Sequence, residues 1–227
     1  MSTARDTVVS TPELLALILA QLPMRDLLLT APLISKTWHE VTLSPTVQRA
    51  LFFQPDPSPS APITNPLLME VFPPFFAPEG TNRWAWPGTA SSIASMPWAK
   101  APEAFKRADA SWRRMLLVQP PAQKMIVVET CHGQMGDSES RTVLHDGPLR
   151  MGQLYDLAVP FVAQIASSFC VRWHTEVDRE ADVTLARIYT MQCTSTPPML
   201  GRQFISDGAP ESVKNGWWSD EDDYDSE

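Results

Sequence analysis

Proline is the feature that most limits how this chain can fold. The 227 residues include 22 prolines against 9 glycines, and each proline fixes φ and removes a backbone hydrogen-bond donor. Eleven of the 22 prolines lie between residues 54 and 102. This density blocks long helices and central strands, so the first part of the segment, Pro55 to Pro62, is predicted to be a polyproline-like spacer.

The second part of the proline-rich segment carries too many large apolar side chains for a plain linker. Side chains of this kind are more often buried than left in water, so we predict that they lie over a core. They are Leu67, Leu68, Val71, Phe72, Phe75, Phe76, Trp84, Trp86 and Trp98.

The chain before the proline-rich segment has the pattern of short amphipathic helices. Apolar residues recur at helical spacing from Leu14 to Leu22, and prolines at 23 and 32 interrupt the pattern. The first predicted helix has Pro12 in its first turn, with Ser10 and Glu13 spaced as a capping box, and ends at Leu22. Further helices are predicted over residues 24–31 and 35–43, with a last turn over 45–52.

The chain after the proline-rich segment is predicted to mix helices and strands. Apolar spacing indicates a helix over 103–117 and another over 154–165, which Pro160 should kink or end early. Alternating or β-rich runs indicate strands, the last two forming an antiparallel pair. The strands are expected over 125–130, 169–175 and 183–194, with a polar turn region at 134–147 and a charged loop at 176–182.

Charge is unevenly distributed along the chain. There are 26 acidic side chains against 18 basic ones, a net charge of −8, and six of the acidic groups lie in residues 217–227 with no basic group. Such a run is usually a solvated, disordered tail. The overall balance argues against binding of nucleic acid, because neutralising phosphates requires a basic face.

These features together predict an α+β protein. Its four parts are an N-terminal helical module at 8–53, a proline- and aromatic-rich connection at 54–102, a small α+β unit with an antiparallel sheet at 103–210, and a disordered acidic tail at 211–227.

Cysteine usage and hydropathy indicate an intracellular protein without a membrane span. Cys131, Cys170 and Cys193 form an odd and sparse set, which fits a reducing compartment better than a disulfide framework. The first ten residues do not resemble a secretory signal. The longest apolar run, Leu14 to Ala20, is far shorter than the roughly 20 residues that cross a bilayer. We therefore expect the cytoplasm, the nucleus or both.

The N-terminal residues also follow a specific order. Proline, acid and aliphatic residues open the segment at 12–15, a leucine-proline-x-x-aspartate-leucine run follows at 22–27, and aliphatic-serine-lysine-x-tryptophan closes it at 34–38. This order resembles the F-box motif over about residues 10 to 50. A looser similarity to F-box proteins of filamentous fungi includes Asn65 to Leu68 and Ala110 to Met115.

The resemblance implies a three-helix module that docks on the linker protein Skp1 and, through it, on a cullin. The implied function is a non-catalytic substrate-recognition adaptor of an SCF-type (Skp1-cullin-F-box) E3 ubiquitin ligase, with residues 103–210 binding an unidentified protein substrate. A segment of about 40 residues is also too small to bury a stable core alone. The Skp1 contacts are assigned to Pro12, Leu14, Leu15, Ile18, Leu19, Leu22, Pro23, Leu27, Leu28, Ile34 and Trp38.

Two alternatives to this function remain open. A Skp1-binding scaffold or regulatory protein would deliver no substrate for ubiquitination, and the lack of a recognisable substrate-binding repeat motivates this alternative. A simple helical hairpin packed on its own C-terminal part would bind no Skp1 at all. Which of the assigned residues face a partner and which pack inward is not determined by their spacing.

Other residues suggest chemistry only weakly. No C-x-x-C pair is present, so ordinary buried cysteines are favoured over a zinc site. No G-x-S-x-G elbow accompanies Cys131 or His145, so a hydrolase is a remote third option. We predict no catalytic function, no metal and no cofactor. The zinc candidates considered are Cys131, His132, Cys170, His174 and Cys193.

Ser219 precedes three acidic residues and resembles an acidophilic kinase site. Phosphorylation would add about −1.5 to −2 charges to a segment that is already negative. A solubilising tail without regulation is an equally good interpretation.

Overall fold

A computed structural model describes residues 9, 11–56, 58, 61–79, 86–133, 136–144, 147–164, 167–174 and 180–190. Within these ranges the protein combines short helices with a mainly antiparallel sheet, which confirms the predicted α+β class. The predictions for Trp84, His145, Cys193, Ser219 and the acidic tail at 211–227 lie outside the described residues. No helix in the described part is long and apolar enough to cross a membrane.

The N-terminal region consists of short helices that begin near prolines. Pro12, Pro32 and Pro45 each lie in a first helical turn, where the missing N–H needs no partner. Pro32 therefore opens a separate turn of helix. Ser35 caps the next helix by accepting a hydrogen bond from the Trp38 N–H at 3.2 Å. The helices are α1 (Pro12–Leu19), α2 (Met24–Leu29), α3 (Ala31–Ile34), α4 (Lys36–Thr42) and α5 (Pro45–Ala50).

The proline-rich segment is partly ordered and joins the main core. Asn65 is fully buried and accepts hydrogen bonds from the backbone of Leu67 and Leu68, both at 3.1 Å. Phe72 and Phe75 are fully buried, as the sequence predicts. The elements are β1 (Ile63–Thr64), α6 (Pro66–Val71), a 3₁₀ turn (Pro73–Phe75), β2 (Gly88–Thr89), α7 (Ala90–Ala94) and a second 3₁₀ turn (Pro97–Lys100).

The predicted helix over 103–117 is wrong. The chain forms α8 (Pro102–Phe105), a 3₁₀ turn (Ser111–Arg114) and β3 (Val118–Gln119) instead. The rings of Phe105 and Trp112 stack with centroids 5.8 Å apart, whereas seven residues of helix would separate them by about 10 Å along the axis. Aromatic packing thus outweighs helical propensity here.

The second half of the chain forms a five-stranded sheet with the order β2-β6-β7-β4-β5. Neighbouring strands are antiparallel except β4 and β7, which pair in parallel with Met125 beside Val183. The elements are β4 (Met125–Gly133), β5 (Gly136–Leu144), α9 (Met151–Gln164), β6 (Ser167–Trp173) and β7 (Val183–Thr190).

Two details of this half differ from the sequence-based expectations. The predicted turn region at 134–147 contains β5, an edge strand whose first six residues are exposed and therefore show no apolar alternation. The helix α9 continues past Pro160 to Gln164. The Arg187 side chain donates a hydrogen bond to the Leu157 carbonyl at 3.1 Å, so a residue of β7 holds the turn of α9 just before Pro160.

Candidate protein-binding surface on the N-terminal helices

The helix α1 is apolar on both of its sides. Leu15 and Leu19 are 2% and 0% exposed and form part of the N-terminal core. Leu14, Leu17 and Ile18 point away from that core and are 44%, 59% and 48% exposed. Because residues three and four apart share one side of a helix, these three side chains form one apolar strip.

The helices α2 and α3 add a second group of exposed aliphatic side chains. Leu27 is buried, whereas Leu29, Leu33 and Ile34 are 70%, 83% and 53% exposed. Leu27, Leu28 and Leu29 are consecutive, and one side of a helix cannot bury all three. Leu29 is therefore exposed to water. Among the described residues, nine of the eleven exposed large hydrophobic side chains fall between Val9 and Leu43.

An open groove of about 450 Å³ lies between α1, α4 and α5. Ala16 and Val41 are its buried apolar residues, and Leu17 lines it beside them. Glu13 and Glu40 also line the groove and are exposed. The groove therefore combines an apolar floor with negative charge, which suits a protein partner better than an anionic ligand.

The structure separates the eleven assigned Skp1 contacts by exposure. Leu15, Leu19 and Leu27 are buried and hold the helices together, while Leu28 and Trp38 are half-buried against the same core. The remaining six are exposed and available to a partner: Pro12, Leu14, Ile18, Leu22, Pro23 and Ile34.

Sequence reasoning missed four exposed apolar residues. Leu17, Leu29, Leu33 and Leu43 are all more than half exposed. The signal that would have found them is the excess of aliphatic residues over the positions that one side of each short helix can bury.

Several hydrogen bonds fix the helices to the rest of the protein. The Gln119 side chain donates to the carbonyls of Arg49 and Gln54, both at 3.0 Å. The Leu116 N–H donates to the Phe52 carbonyl at 2.7 Å, and Leu28 packs against both core clusters. The exposed surface is therefore held in a defined position relative to the sheet.

Phe52 turns the chain at this junction. Its φ is +60°, a left-handed conformation that is costly for a residue with a side chain. The Phe53 N–H bonds to Gln48 and the Phe52 N–H to Arg49, which is the Schellman arrangement that ends a helix, usually with glycine. The buried Phe52 side chain offsets the backbone cost.

The cysteines and histidines do not assemble into a site within the described residues. Cys131 and Cys170 are buried thiols, as the sequence predicts. Burial raises the pKa of Cys170 to about 11, so its thiol stays protonated at neutral pH. The His174 ring lies 2.9 Å from the Thr184 hydroxyl and His132 pairs with Asp137. No three acidic, cysteine or histidine side chains of the described part are grouped to hold a metal ion.

Comparison with known proteins adds no relative. No protein-family model, no curated protein and no solved structure matches this chain at a significant level. The residue order and the exposed helical surface are therefore the features that bear on function.

Proposed function

We propose that this protein is a non-catalytic substrate-recognition adaptor of an SCF-type E3 ubiquitin ligase. Its N-terminal helices bind a Skp1-type linker protein, and through it a cullin, while the rest of the chain binds the protein to be ubiquitinated. The observation that supports this proposal is the concentration of exposed aliphatic side chains on helices whose residue order resembles the F-box.

The exposed side chains supply the affinity that such a contact requires. Fully burying one leucine or isoleucine contributes about 1.5–3 kcal/mol relative to leaving it exposed. Leu14, Ile18 and Leu33 together therefore offer several kcal/mol, part of which offsets the entropy that association costs. Leu15 and Leu19 contribute indirectly, because they fix the helix that carries the strip.

The junction with the sheet suits an adaptor. Gln119 and the Phe52 carbonyl hold the last N-terminal helix against the main body. An adaptor must place its bound substrate in a defined position relative to the ligase, and a fixed junction achieves this better than a free linker.

Titration of the full chain with purified Skp1 tests the proposal. We expect Ile18→Asp and Leu33→Asp each to raise the Kd at least about tenfold, because each places a charge where an apolar side chain is buried on binding. Ile63→Asp is the matched control, since Ile63 is 52% exposed but lies on β1, outside the motif.

The outcomes of the titration are distinct. If the unmodified chain does not bind Skp1, the proposed function is wrong. If Ile18→Asp and Ile63→Asp weaken binding equally, the surface is misassigned. Trp38→Ala also belongs in the series, but its half-buried side chain packs on the helical core, so its fold must first be checked by circular dichroism.

The scaffold alternative requires a separate measurement. Proteins that co-purify with the full chain and with its Ile18→Asp variant are compared by quantitative mass spectrometry. An adaptor brings down Skp1 together with a cullin, and only these ligase components are lost in the variant. Proteins retained by both forms are substrate candidates. Skp1 without any cullin would favour the scaffold.

A further inference from the structure

The strand β5 is a long and regular edge strand of the sheet in the described part of the chain. Its nine residues pair with β4 without interruption, from Gly133 beside Gly136 to Met125 beside Leu144. No described strand pairs with its other side. Proline and bulges, which commonly block such edges, are absent from its sequence and from its register with β4.

The hairpin geometry shows which backbone groups of β5 are unpaired. Gly133 pairs with Gly136, only three positions further along the chain, and a pair this close in sequence at the end of an antiparallel ladder is a hydrogen-bonded one. Pairs alternate along an antiparallel ladder, so every second residue of β5 directs its N–H and C=O away from β4. These outward residues are Asp137, Glu139, Arg141 and Val143.

The side chains of β5 are complementary to themselves. If a second copy of the strand runs antiparallel to β5 with Ser140 opposite Ser140, then Glu139 faces Arg141 of the partner subunit, and Arg141 faces Glu139 of the partner subunit. The same arrangement matches the outward backbone groups of both strands, because 139 and 141 are both outward residues. On the other side of the sheet, Ser138 meets Thr142, and hydroxyl pairs of this kind are favourable.

We propose that a second copy of this chain docks on β5 and joins the two sheets around a two-fold axis at Ser140. The contact is isologous and closes after two subunits. Residues 136–141 are exposed. The Arg141 guanidinium already lies 2.8 Å from the Glu180 carboxylate. Because a guanidinium has five N–H donors, it binds Glu180 and the partner subunit's Glu139 together.

Charge also distinguishes the neighbouring registers. Sliding the second strand by two residues in one direction places Arg141 opposite Arg141 and leaves no opposite-charge pair. In the other direction Glu139 lies opposite Glu139, while Asp137 faces Arg141 of the partner subunit. Like charges directly opposite each other are unfavourable. The register centred on Ser140 is the one of the three that has two opposite-charge pairs and no like-charge pair directly opposite, so it is the most favourable.

Sedimentation equilibrium of the full chain and of charge variants tests the dimer. We expect a concentration-dependent dimer, and Glu139→Arg or Arg141→Glu alone should weaken it about tenfold or more, since each creates two like-charge pairs. The double variant Glu139→Arg/Arg141→Glu should restore the dimer. A mixture of the two single variants should form the heterodimer, because one strand then carries two positive and the other two negative side chains.

Cross-linking tests the register. Ser140→Cys should form an intermolecular disulfide under mild oxidation, because the two Cα atoms lie about 4.5 Å apart across the axis. Ser138→Cys is the matched control: it lies on the same side of the strand, but its own copy is four residues away, about 13 Å. The unmodified chain gives the background from the native cysteines.

Three results would overturn the proposal. The unmodified chain is monomeric at all concentrations, which is also the outcome if residues 191–227 of the same chain cover the edge. The dimer is unaffected by either single charge variant. Ser138→Cys cross-links as fast as Ser140→Cys. None of these results bears on Skp1 binding, because β5 is separate from the N-terminal helices.

Discussion

The N-terminal helices and the sheet region bury apolar side chains of different kinds. The helical core is formed by small and aliphatic side chains, namely Leu15, Ala16, Leu19, Leu27, Ala31, Val41, Val47 and Leu51. The main core is rich in aromatic rings, and Phe72 alone lies within about 6 Å of Phe75, Trp98, Phe105, Trp112 and Tyr155.

The difference shows that the exposure of apolar side chains depends on the size of each core and on the kind of side chain that fills it. Helices of four to eight residues present more aliphatic positions than their small shared core can cover. Large rings from the proline-rich segment cover the sheet region, and outside residues 9–43 only Ile63 and Met69 are exposed large hydrophobic side chains in the described part. An unsatisfied apolar surface therefore belongs to one region, which is typical of a binding module.

Removing the central ring gives the largest expected effect. Phe72→Ala should lower the free energy of unfolding by about 3–5 kcal/mol, because a fully buried phenylalanine leaves a cavity among other rings. Urea unfolding measures the change, and Met69→Ala on α6, the helix that ends just before Phe72, is the exposed control. We expect a single transition, since Phe52 and Gln119 join the two regions. Two separate transitions would show that the helices are stable alone.

Alkaline pH should destabilise the sheet region by a smaller amount. Burial raises the pKa of Cys170 from about 9 to about 11, so its contribution is complete below pH 9 and is lost as the pH rises to 11, because the unfolded thiol ionises first. The expected loss is on the order of 2–3 kcal/mol. Burial also raises the pKa of Tyr155.

Urea unfolding at pH 8 and pH 10.5 measures this loss. The control is Cys170→Ala, which removes the thiol and should lose less stability between the two pH values than the unmodified chain. Equal losses in both proteins would contradict the assignment to Cys170.

Changing an exposed leucine should have the smallest effect on stability. Leu33 is 83% exposed, so Leu33→Glu should shift the unfolding free energy by less than about 0.5 kcal/mol. Leu27→Ala, at a buried position of the neighbouring helix, should cost about 2–5 kcal/mol by comparison. If both variants lower the free energy of unfolding equally, the assignment of buried and exposed sides to these helices is wrong.

Local signals explain what the sequence predicted well. The helix predicted to begin at residue 35 begins at Lys36 with Ser35 as its cap, and the one predicted to begin at residue 45 begins at Pro45. Alternation of Phe169 and Val171 with Cys170 predicted β6, and these residues do face two different clusters.

Long-range contacts explain what the sequence could not predict. The strand β5 contains almost no apolar residues, so only its pairing with β4 reveals it. Phe105 and Trp112 have helical spacing, but their stacking breaks the helix. For the candidate surface, the sequence identified the helices, whereas exposure decided between Ile18, which faces outward, and Leu15, which does not.

The position of β7 has a consequence for biosynthesis. It is the middle strand of the sheet and also the last described element along the chain, and both of its neighbours, β6 and β4, precede it. While the ribosome makes the chain, the N-terminal helices emerge complete long before the sheet can close. The leucine-rich surface is then exposed to chaperones before the sheet to which the helices are fixed has formed.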